Sequence, residues 1–63
     1  MKEDYIKEVE EKLKILEEEI RDILRKVEKE KGGIFITGED RQKLEEKLIE
    51  HDRLSLTLAI LNL

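Results

Sequence analysis

The residues best placed to do chemistry are His51, the only histidine, and the carboxylates beside it in sequence, Glu50 and Asp52. An imidazole among carboxylates can hold a divalent metal or serve as an acid–base pair. On a helix, however, consecutive residues point about 100° apart, so both carboxylates turn away from the ring. The neighbour one turn earlier is Lys47, a cation, and a transition-metal site needs several converging ligands. His51 therefore reads as a structural histidine at the edge of a helical interface, where gain of a proton would make association sensitive to pH.

The remaining candidates fail on geometry. Glu10-Glu11 and Glu17-Glu18-Glu19 could pose as acid–base pairs or calcium ligands, but adjacent helical residues diverge, and the runs read as a solvated face. Gly32, Gly33 and Gly38 lack both the Lys-Ser/Thr of a P-loop and the strand that precedes a dinucleotide fingerprint. No serine or cysteine is set beside a base with a third group to orient it. The expectation is a protein without catalytic residues, cofactor, metal or small-molecule substrate.

The elements are clearer than the chemistry. Ile6, Val9, Leu13, Leu16, Ile20, Ile23 and Val27 occupy successive core positions of one heptad frame, which fails only at Glu30, just before Gly32 and Gly33. This pattern predicts a helix over about 4–31, built to lie against other helices and closed by a glycine cap. Glu3 and Lys7, Glu8 and Lys12, Glu10 and Lys14, Glu17 and Arg21, and Asp22 and Lys26 are expected i,i+4 pairs, each worth about 0.2–0.5 kcal/mol. Tyr5 and Leu24 flank the stripe and widen it, whereas Ile15 points away.

Residues 32–37 form an apolar connection whose Ile34, Phe35 and Ile36 are expected to plug one end of a bundle, or to dock on a partner. Thr37 fits an N-cap, with Asp40 in the first turn of a second helix over about 38–63. There Leu44, Leu48 and Leu58 mark one face, with His51 and Ser55 between them; Ile49, Leu56, Ile60 and Leu63 mark another. Beyond Leu54, with Leu61 included, apolar residues fall on nearly every side, which a lone hairpin cannot cover. A competing reading makes 54–60 a strand paired with 34–36, because Leu54, Leu56, Leu58 and Ile60 alternate with Ser55, Thr57 and Ala59. Leu and Ala as helix formers, and the lack of any Gly or Pro before the run, favour the helix.

Composition bounds the class. The 63 residues make one small domain, which buries only about 60% of its unfolded surface. Without cysteine, and with one histidine, neither disulfides nor a structural metal supplements the core, which leaves oligomerisation or a protein partner. The net charge of −4 comes from 13 basic and 17 acidic residues that are interleaved, so no basic stripe tracks a nucleic-acid backbone. Abundant Glu, Lys and Ile with little Gln suit a thermostable or designed chain. Met1-Lys2-Glu3-Asp4 opens on charge rather than a leader, so the cytoplasm is expected. The apolar run 54–63 is too short to span a membrane, and it lacks the basic flank and tryptophan of an interfacial helix.

The plan of helix, loop and helix is similar in outline to small bundle-forming regulators, such as plasmid copy-number proteins of the Rop type and the small phosphatases of sporulation. The Ser-Gln-Glu-Leu-Asp motif of the latter and the basic, aromatic face of an RNA-binding hairpin are not present, so no functional residue carries over.

These observations predict an all-α fold, a single domain over 1–63. It is an antiparallel helix-loop-helix hairpin that assembles as a homodimeric four-helix bundle of coiled-coil type. The expected interface comprises Ile6, Val9, Leu13, Leu16, Ile20, Ile23, Val27, Leu44, Leu48, Leu54, Leu56, Leu58, Ile60, Leu61 and Leu63. The expected role is structural, with the chain itself as partner. The alternative is a regulator or adaptor that binds another helical protein through its apolar C-terminal helix.

Overall fold

The computed structural model of the chain describes residues 2–31 and 38–63. Two helices account for nearly all of them: α1, Lys2–Lys31, and α2, Gly38–Leu61, packed side by side as a hairpin of 44 × 16 × 14 Å. Neither helix contains proline, and each opens on acidic residues that suit the positive end of its dipole, Glu3 and Asp4 in α1, Glu39 and Asp40 in α2. α1 starts two residues earlier than the heptad pattern alone suggests, because Lys2 and Glu3 are good helix formers outside the stripe.

Gly38 begins α2 with φ +64°. This left-handed conformation strains any residue with a Cβ, so glycine is required by the backbone, although the space around it is open. Thr37 as N-cap, the Gly32-Gly33 cap and the plug of Ile34, Phe35 and Ile36 lie outside the described residues.

Residues 54–60 are helical, which corrects the strand alternative. Side-chain alternation is a weak signal against an uninterrupted backbone ladder, and here the i→i−4 bonding continues to the end: the Asn62 amide donates to the Leu58 carbonyl at 3.0 Å. The Leu63 amide then donates to Ile60 at 3.2 Å, a tighter bond that closes the last turn. α2 thus ends at Leu61 rather than Leu63.

The core is thin and one-sided. Val9, Leu13, Leu16 and Val27 are buried, and all four belong to α1. No α2 residue is as fully enclosed; Leu44, Leu54, Leu58 and Leu61 reach only half-burial. A single facing helix covers a stripe from one side, which suffices for the narrow stripe of α1 and leaves α2 incompletely covered.

Candidate functional site

His51 lies on the inner face of α2, directed at α1. Its Nε2 is 3.1 Å from Glu17 Oε1, and its Nδ1 is 3.5 Å from the Ser55 hydroxyl one turn onward. Ser55, His51 and Glu17 thus stand in the order of nucleophile, base and orienting carboxylate, which corrects the expectation that no serine sits beside an oriented base. The signal was the i,i+4 spacing of His51 and Ser55; the third member became visible only with α1 in place. What the trio can do is tie α2 to α1. Among the described residues, no group of three His, Cys, Asp or Glu side chains converges as a metal site.

Two more pairs cross between the helices. Lys47 Nζ is 2.6 Å from Glu19 Oε2, and Lys26 Nζ is 3.5 Å from Asp40 Oδ1. From Lys26 to Glu19 is one heptad back along α1, and from Asp40 to Lys47 one heptad forward along α2, so the two helices run antiparallel in a fixed register. Three groups expected to pair within α1 are used otherwise: Glu17 meets His51, Lys26 meets Asp40, and Asp22 is 3.9 Å from Arg25. A cross-helix partner competes successfully because the i,i+4 pair it replaces is itself worth only a few tenths of a kcal/mol.

The inward seam of α2 is therefore Asp40, Leu44, Lys47, His51, Leu54, Leu58 and Leu61, a full heptad series with three polar members. Sequence reasoning missed Asp40 and Lys47 as seam positions. It also grouped Leu48 with the inward face, whereas Leu48 sits about a quarter turn away and is 49% exposed. With Ile20, Leu24, Glu17, Arg21 and His51 it lines an open groove of about 270 Å³ beside the seam. A larger groove of about 510 Å³ on the other side is bordered mostly by charge, with Glu19, Asp22, Glu46 and Glu50 set among Lys43 and Lys47.

The sequence-predicted apolar residues fall into three places. Ile6, Val9, Leu13, Leu16, Ile20, Ile23 and Val27 line the α1 side of the seam, buried or half-buried. Leu44, Leu54, Leu58 and Leu61 line the α2 side. Leu56, Ile60 and Leu63 do not join them. Leu56 and Ile60 are each two residues beyond a seam position, about 200° round the helix, and with Ile49 they form an outward stripe exposed to 58%, 67% and 55% respectively; Leu63 lies beyond the end of α2 and is 98% exposed. Ile15 stands alone on the back of α1.

No helix among the described residues is long and apolar enough to cross a membrane. Compared with known proteins, the chain matches no family model, no curated protein and no solved structure.

Proposed function

We propose that the chain is a structural protein that acts by association, joining a second copy of itself into a dimeric four-helix assembly through the apolar C-terminal half of α2. The cytoplasm is its setting, and it needs no cofactor, nucleic acid or small-molecule substrate. One observation supports this reading above the rest: Ile49, Leu56 and Ile60 share the face of α2 turned away from α1 and are each more than half exposed. Contiguous exposed apolar side chains of this size mark interaction surfaces, whereas single exposed ones are ordinary. Burial of each would contribute at most about 1.5–3 kcal/mol, which a small domain with four enclosed side chains among its described residues can use.

Sedimentation equilibrium over a wide concentration range tests the reading. The expected mass is twice that of the 7.5 kDa chain. A chain that stays monomeric throughout refutes self-association and turns attention to the second reading, an adaptor that holds a helix of another protein. The groove lined by Ile20, Leu24 and Leu48 supports that reading, since two of those side chains are about half exposed beside the seam.

A further inference from the structure

We infer that the outward stripe of α2 takes the same stripe of a second copy, with the two α2 helices antiparallel about a two-fold axis that passes between residues 54 and 55. The inference rests on the self-association proposed above and adds the face, the orientation and the register. Ile49, Leu56, Ile60 and Leu63 follow heptad spacing, so the surface they form suits another straight helix of the same repeat. α1 cannot be that helix. Its apolar seam is already occupied by α2, and its back carries Ile15 alone. Among the described residues, the apolar complement is α2 itself.

Charge selects the orientation. In a parallel pair, Arg53, the polar member of the stripe between Ile49 and Leu56, would face Arg53 of the second copy. Glu46 would face Glu46, and Glu45 would sit beside Glu50. The antiparallel pair removes all three conflicts: Ile49 meets Ile60 of the second copy, and Leu56 meets the methylene stem of its Arg53, whose guanidinium reaches solvent. Thr57 and Ala59, which flank the stripe, carry no charge. This register engages Ile49, Leu56 and Ile60 of each copy, while Leu63, beyond the end of α2, falls level with Glu46 of the other copy.

The result differs in shape from a square bundle. In a square, the two neighbours of a helix lie about a quarter turn apart, but the seam and stripe of α2 lie on opposite sides. The four helices would therefore form a row, α1–α2–α2–α1, with both α2 helices inside. This explains why the second helix is apolar on both faces and the first on only one.

Spin labelling tests orientation, and the absence of native cysteine makes a single attachment point unique. A label on Gln42→Cys, exposed near the start of α2, is expected to give a pair distance of roughly 40 Å by dipolar spectroscopy, because the labelled residues stand about 25 helical positions apart along the axis. A distance of roughly 10–15 Å means a parallel pair and overturns the inference while leaving self-association intact. In a second measurement, Leu56→Glu with Ile60→Glu is expected to halve the mass and leave the helical signal of the hairpin unchanged, since both side chains point away from α1. A double variant that remains dimeric places the interface on another face and also overturns the inference alone. Only a monomeric unsubstituted chain overturns both proposals.

Discussion

The hairpin has two halves of similar geometry and different chemistry. Next to the connection, α2 presents Asp40, Lys47 and His51 to α1, and each finds an oppositely charged or hydrogen-bonding partner in Lys26, Glu19 or Glu17. Toward the open end the seam positions of α2 are Leu54, Leu58 and Leu61 and those of α1 are Leu13, Val9 and Ile6, all buried or half-buried and none charged. The polar half favours one register, because a slip of either helix would leave part-buried charges unpaired. Burial is shared, with Val9 and Leu13 enclosed in the apolar half and Leu16 and Val27 in the polar half, and the apolar half is where α2 shows Leu56 and Ile60 on its back. Register is set in one half and association proposed in the other.

The largest effect is expected from placing a charge in the apolar half. Val9 is 2% exposed, and Val9→Asp would bury a carboxylate with no partner, a loss of more than about 4 kcal/mol, which a domain of this size does not survive. Far-UV circular dichroism should show the helical signal lost at 25 °C. A variant that kept its helicity would mean that the seam, and with it the contrast between the halves, is wrongly placed.

The polar half should respond less strongly and in a reversible way. Lys47→Glu sets a like charge against Glu19 and is expected to destabilise by about 1–2 kcal/mol, while adding Glu19→Lys should recover much of the loss. The coupling in the double-mutant cycle should be about 0.5–1 kcal/mol and shrink with salt, since Glu19 is partly exposed. Urea titrations of the four proteins measure it. A coupling of zero would show that register is held by the apolar layers alone.

How much of this was legible in the sequence follows from the same contrast. The stripe of α1 could be read directly, because its core positions are apolar and its flanks are charged. The outward stripe of α2 was legible from spacing alone, since Ile49, Leu56 and Ile60 fall on one helical face although Thr57 and Ala59 beside them carry no charge. The inward seam was not: with Asp40, Lys47 and His51 at three of its seven positions, hydrophobic periodicity is interrupted where the register is set. These residues belong to the seam by virtue of their partners on α1, which lie 14, 28 and 34 residues away in sequence. No local pattern records such distances. The association of Ser55 and His51 with Glu17 was hidden for this reason too.

Gly38→Ala probes the start of the polar half without touching either seam. The added methyl meets no atom within 4 Å, so the cost comes only from the positive φ, about 1–2 kcal/mol. Thermal melting should register a lowered midpoint with unchanged assembly. An equal midpoint would show that the helix can begin one residue later without loss.

The smallest effect should come from Ile15, and its value lies in a match with Leu56. The two are almost equally exposed, at 56% and 58%, so exposure alone predicts the same response to a charged substitution. Their surroundings differ. Ile15 has no apolar neighbour on the back of α1, whereas Leu56 has Ile60 one turn onward on the same face, with Ile49 two turns back beyond Arg53. Ile15→Lys should therefore change stability by less than about 0.5 kcal/mol and leave the mass as it was, while Leu56→Lys should weaken assembly. If Ile15→Lys disrupted assembly as strongly, the back of α1 would belong to the interface, and a row with α2 inside would give way to an arrangement that covers both helices.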